Sequence, residues 1–218
     1  MVEELWNTVR NGVELGGPVV VVLVALSIVS LAVALYKMWQ FQAAGVGRHR
    51  ALQEAIHAWD RNDQEGTERH LNRSSSYLAP VARLGVSLSG TTNMAVRLEA
   101  EAEDAFERLR RGLRALDVIT QVAPLIGLFG TVLGMIEAFQ ALQDAGDQVD
   151  PSILAGGIWV ALLTTAVGLA VAMPTAVLLS WFEGRLERER VLAERIISVL
   201  FCPERRAEPT LKTQTLGA

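Results

Sequence analysis

Apolar residues along this chain gather into three long blocks, at 17–36 (GPVVVVLVALSIVSLAVALY), 118–139 and 153–182, and the segments between them are polar and charged. A helix that crosses a bilayer needs roughly 20 apolar residues, and every block is long enough. The third exceeds that length, which predicts a tilted span or one that projects as helix on one side, through the charged stretch from Glu183 to Arg195. Between the first two blocks the periodicity is helical. Ala51–Trp59 and Glu65–Leu71 form short amphipathic pieces, interrupted by Asp60-Arg61-Asn62-Asp63 and by Ser74-Ser75-Ser76. A stronger pattern follows a cap at Thr91 or Thr92, with Met94, Leu98, Ala102, Ala105, Phe106, Leu109, Leu113 and Leu116 at helical spacing. It predicts one rod running into the second block, broken only by whatever Gly112 does, and a second rod from the third block to Leu200. The fold class expected is an all-α membrane protein with three transmembrane helices and long helical extensions on one side.

The second and third blocks are unusual in their small and polar content. Placed on a helix, Gly127, Thr131, Gly134 and Ala138 fall at i, i+4, i+7 and i+11, a stripe along which another backbone can approach closely. Gly157, Ala161, Thr164, Gly168 and Ala172 repeat the arrangement in the third block, with Thr165 beside it. Thr120 and Thr131 share one helical face. Pro124 and Pro174 each remove an amide hydrogen, bend the rod and free a carbonyl. Hydroxyls in hydrocarbon either satisfy a neighbouring carbonyl or face a polar path, and spacing leaves both readings open.

Half of the residues are hydrophobic and mean hydropathy is positive, in keeping with membrane spans. Lysine and arginine are distributed unevenly. Residues 1–16 hold only Arg10, 37–117 hold 12 basic residues, 140–152 hold none and the segment from 183 holds seven. Segments rich in these residues stay inside. The expected order is an outer segment 1–16, a span at 17–36, an inner helical region 37–117, a span at 118–139, an outer loop 140–152, a span at 153–182, an inner helix 183–202 and a disordered tail 203–218. The acidic sequence before the first block and the lack of a small-residue cleavage pattern after it predict a retained span. Arg108, Arg110, Arg111 and Arg114 serve this topology and are also candidate contacts for anionic lipid headgroups. Cys202 is the single cysteine, so no disulfide within the chain is available.

Catalytic patterns are missing: the sequence holds no phosphate loop, no nucleophile elbow and no His-Glu-x-x-His. His49, His57 and His70 have no cysteine or carboxylate frame around them and read as solvated or locally packed, so neither an enzyme, a metal nor another cofactor is expected.

GLFGTVLGMIEAFQ at 127–140 followed by ALLTTAVGLAVAMP at 161–174 resembles the MotA/TolQ/ExbB proton channel family, with the ExbB and TolQ branch the nearer. The resemblance implies a multi-pass subunit of the bacterial inner membrane, with its N-terminus in the periplasm and its C-terminus in the cytoplasm. It also implies a homopentamer whose second and third spans line a lumen around a single-span ExbD- or TolR-like partner, with a TonB- or TolA-like protein beyond it and no nucleic acid. Thr131 and Thr165 match the family's threonines and would line the lumen with Thr164 and Thr120 nearby, while Gly127, Gly134, Gly157, Gly168, Pro124 and Pro174 pack the helices. The family's third-span glutamate is replaced by Val160, within Gly157-Ile158-Trp159-Val160-Ala161-Leu162, so the titrating carboxylate would have to come from the partner. Energising outer-membrane transport is the function this implies. A TolQ-like envelope motor and a non-conducting scaffold are the alternatives; a flagellar stator fits less well, since that branch usually has four spans.

Overall fold

A computed structural model describes residues 2–89, 91, 93–144 and 151–202, with the side chains of 2–16 and 153 left aside. Every regular element among the described residues is a helix: α1 (Val2–Ala43), α2 (Arg50–Asp60), α3 (Gln64–Arg73), α4 (Ala79–Ser87), α5 (Met94–Arg110), α6 (Leu113–Asp144) and α7 (Pro151–Phe201). Three stretches, Gly17–Ala43, Leu113–Asp144 and Leu154–Phe201, are long and apolar enough to cross a membrane. The segments 145–150 and 203–218, which include the middle of the expected outer loop and the expected tail, lie outside the described residues.

The chain divides into two compact units. The first comprises 1–39 and 110–184. Its α1 changes direction at Gly17, which takes φ 64° and ψ −163°, and helix resumes at Pro18. Glycine tolerates the left-handed φ, and proline, which lacks an amide hydrogen, suits a first helical turn. A small core of Leu23, Ile119, Ala123, Val171 and Ala172 holds α1, α6 and α7 together, with Val19, Leu26, Ile126 and Val167 against it. The outward surface is apolar too: Leu125, Leu128, Phe129, Leu162, Met173 and Val177 are all exposed. Such a surface suits lipid or further protein rather than water.

The second unit comprises 40–109 and 185–218. Here α2 to α5 and the later part of α7 enclose Leu52, Ala55, Leu71, Leu78, Ala82, Leu98, Phe106, Ala193 and Leu200. Asp63 starts α3 by accepting the Gly66 amide at 2.9 Å. The expected pieces at 51–59 and 65–71 correspond to α2 and α3, but α4 is additional. Its sequence, APVARLGVS, is too short to hold a helix by itself, and it is held by burial of Ala79, Val81, Ala82 and Gly85. A Cβ on Gly85 would lie 2.6 Å from Leu200 Cδ1 and 3.2 Å from Leu98 Cδ1.

Two expectations change. The rod from 94 into the second span is broken, because Gly112 takes φ 89°, which ends α5 and lets α6 begin at Leu113. Thr91 does not cap α5; its hydroxyl turns back to the Leu88 carbonyl at 2.8 Å, and Thr92 lies outside the described residues. The rod from the third span to Leu200 is present as α7. Pro124 and Pro174 sit inside α6 and α7 without ending either helix.

Leu98 has no exposed surface, whereas Val96 on the same helix is 70% exposed. Leu98→Ala should therefore cost about 2–5 kcal/mol of stability and Val96→Ala under about 0.5 kcal/mol, read from thermal or denaturant unfolding of the detergent-solubilised protein.

Candidate functional site

The first unit is organised around the seam between α6 and α7. Ala123, Gly127, Gly130, Gly134 and Ala138 are the buried small residues of α6. A Cβ on Gly127 would lie 2.9 Å from the Thr164 carbonyl oxygen and 3.1 Å from the Thr165 Cα. On Gly168 it would lie 2.7 Å from the Ala123 carbonyl oxygen, and on Gly157 it would overlap the Ala138 methyl. Gly134 is looser, at 3.1 Å from the Ala161 Cβ. The two backbones thus touch along four turns, through residues with little or no side chain. Gly130, which the expected stripe omits, belongs to this seam: a Cβ there would lie 2.6 Å from Thr164 Oγ1 and 2.9 Å from Val19. Thr131 is displaced to the seam's edge.

The threonines have distinct surroundings. Thr164 is 3% exposed and points into the seam, where its hydroxyl lies 2.7 Å from the Ala161 carbonyl and 3.1 Å from that of Gly127. Within this chain it joins α6 to α7. Thr120 and Thr131 donate to carbonyls of their own helix, Asp117 and Leu128, at 2.7 Å each. Thr165 differs from all three. It is half-buried beside Gly127, and its buried Oγ1 has no hydrogen-bond partner. An orphaned hydroxyl in apolar surroundings carries a cost that a polar partner from outside the chain would remove.

The family model described as the MotA/TolQ/ExbB proton channel family matches residues 48–195, more than half of the chain. The chain belongs to this family. It is 32% identical over 192 residues to a putative biopolymer transport protein ExbB homolog of Methanothermobacter thermautotrophicus, covering 84% of this chain and 66% of that protein. A putative ExbB-like protein of Synechocystis is 32% identical over 72% of this chain and 64% of its own length. The Tol-Pal system protein TolQ of Pseudomonas aeruginosa is 34% identical over 43% of this chain and 39% of its own length. The chain thus spans just under two thirds of the first two relatives.

For a member of the MotA/TolQ/ExbB family, the chemistry of Val160 matters. It is half-buried one residue before Ala161, the contact of Gly134, and it has nothing to titrate. Glu137 and the four arginines Arg108, Arg110, Arg111 and Arg114 are exposed. Sequence reasoning passed over a second buried hydroxyl pair: Thr175 Oγ1 lies 3.3 Å from Ser30 Oγ and 2.7 Å from the Val171 carbonyl, tying α7 to α1. It also passed over Lys37, which is 1% exposed and packs its stem against Gly112. Neither Ser30 nor Lys37 belongs to a motif; their signal is a polar residue within or at the end of an apolar run.

Thr164→Val removes the cross-seam bond while keeping shape, and a loss of about 0.5–2 kcal/mol is expected. Gly168→Ile has no room against the Ala123 carbonyl, so it should abolish the folded protein, visible as aggregation in size-exclusion chromatography.

Proposed function

We propose that this chain is an inner-membrane subunit of an ExbB/TolQ-type complex that uses proton-motive force to energise outer-membrane transport through a small ExbD- or TolR-like partner. Five copies form a ring, the second and third spans line its lumen, and the partner's single span occupies it, with a TonB- or TolA-like protein receiving the work. The observation that carries this reading is Thr165, whose buried hydroxyl has no hydrogen-bond partner and whose Cα faces Gly127, one helical turn from Thr131 on α6. Membership in a proton channel family supports it.

The chemistry required is modest. With Val160 in place of a carboxylate, an aspartate on the partner carries the proton. Ionised, it favours the hydroxyls of Thr131 and Thr165; protonated, it tolerates the apolar wall, so protonation selects between positions in the ring. The cytoplasmic side holds 37–117 and 183–202, and the periplasmic side holds 1–16 and 140–152, as the lysine and arginine distribution asks. The exposed arginines at the α5–α6 break meet anionic lipid headgroups there. Val160 also favours a second reading, a ring that packs helices and does not conduct.

Thr131→Val and Thr165→Val should each reduce energised transport by about tenfold or more while native mass spectrometry still finds the ring and its partner. Unchanged transport in both contradicts the role given to the hydroxyls. Cys202 is exposed and tests orientation. A membrane-impermeant maleimide should label it in inside-out vesicles and leave it unlabelled in intact spheroplasts.

A further inference from the structure

The second unit buries polar groups that proton conduction leaves unused. His49, Ser76 and Glu189 are 7%, 4% and 4% exposed. They come from the turn after α1, the turn before α4 and the later part of α7. His49 Nε2 lies 2.7 Å from Glu189 Oε2 and 3.0 Å from Oε1, and its Nδ1 lies 2.9 Å from Ser76 Oγ. The backbone is shaped for this meeting. Gly45 and Gly47 take φ of 68° and 83°, and a Cβ on Gly45 would press into the Ser75 carbonyl while one on Gly47 would overlap the Arg185 guanidinium. Arg185 donates to the Val46 carbonyl at 3.4 Å, and the Tyr77 amide donates to that of Ala44 at 3.2 Å.

A buried carboxylate needs donors and a compensating charge. Arg185 faces the turn and is engaged by Val46. Tyr77 faces Glu189 from the α3–α4 turn; burial, and then the charge of Glu189, push its phenol above the usual range, so it stays neutral. From α5, Phe106 packs edge-on against Tyr77, and Glu103 pairs with Arg190 at 3.5 Å on the surface. Arg48 is exposed, and Arg50 pairs with Glu54. Tyr77 also offers Glu189 a neutral hydrogen-bond donor, and His49, 2.7 Å away, is the group that can bring it a positive charge.

What His49 offers depends on one proton. The Gly47 amide points at Nε2 from 2.9 Å and asks for a lone pair where Glu189 asks for a hydrogen. A charged ring donates from Nε2 to Glu189 and from Nδ1 to Ser76. A neutral ring that turns its Nε2 lone pair to Gly47 leaves Glu189 a buried charge without a positive partner, with the neutral Tyr77 phenol as the remaining donor. Ser76 Oγ accepts the Leu78 amide at 3.2 Å and can rotate its own hydrogen toward or away from Nδ1, so it serves either ring state.

We propose that His49, Glu189 and Ser76 form a proton-operated clasp that fastens α7 to the turn between α1 and α2 while the ring is charged and releases it when the ring is neutral. If this unit is cytoplasmic, as proposed above, protons arriving on that side tighten it; the clasp itself does not depend on conduction.

Hydrogen exchange on the full-length protein in detergent, corrected for intrinsic rates, tests the clasp. Protection of the amides at 44–49 and 76–78 should fall about tenfold or more in the wild type as pH is raised until the His49 ring signals show a neutral ring. His49→Gln and Glu189→Gln should each show no such fall. A flat wild-type profile, or the same fall in both variants, overturns the proposal. Should the variants not fold, ring signals of the wild-type histidines decide. His49 must change charge over the range in which protection falls, and either change without the other overturns the clasp. A failed flux assay leaves this result standing, since exchange reads the clasp and not conduction.

Discussion

Hydrocarbon offers a polar group no partner, so a hydroxyl or carbonyl in the apolar stretches of the first unit is costly unless protein answers it. The close approach of α6 to α7 is what brings answers within reach. With glycine at 127, 130, 157 and 168 there is no side chain to hold the helices apart, and a methyl group at any of these positions would collide. Because the backbones touch, Thr164 can reach both its own helix and the Gly127 carbonyl. The same contact sets the position of Thr165, whose Cα lies 3.1 Å from where a Gly127 Cβ would stand. The candidate site is therefore a consequence of helix packing, and the threonines differ in role because they differ by one position around that seam.

Polar groups are handled differently in the second unit. Its core is a conventional cluster of leucines and alanines from five helical segments, and its turns carry the chemistry. Left-handed glycines at 45 and 47 remove the side chains that would block Ser75 and Arg185, and this leaves His49 facing Glu189. In the seam, glycine permits a helix to approach a helix; in the turn, it permits a titratable ring to approach a carboxylate. Both are close-approach problems solved by leaving out a side chain.

Much of the fold was legible because it rests on local composition and period. The three spans, the α7 rod, and α2 and α3 follow from apolar run length and helical spacing, and the glycine stripes follow from the same arithmetic. Finer placement was not legible. Thr131 and Gly130 are neighbours on a helix, and period alone does not say which faces α7; contact with Thr164 and Val19 decides for Gly130. Gly112 reads as a tolerated glycine within a helix until its positive φ is known. The α4 helix depends on burial against Leu98 and Leu200 rather than on its own propensity. His49 and Glu189 are 140 residues apart, so no spacing rule links them, and the histidine read as solvated or locally packed is locked in a buried pair.

The central claim is that this chain helps conduct protons although Val160 stands where a carboxylate is expected. Proton uptake into proteoliposomes under an imposed membrane potential tests it, using the wild-type chain alone and then co-purified with the proposed single-span partner. The account expects a pH-sensitive dye inside the liposomes to report uptake with the partner present and background leakage without it. Background leakage from the intact complex would contradict the account and leave a packed ring of helices that does not conduct.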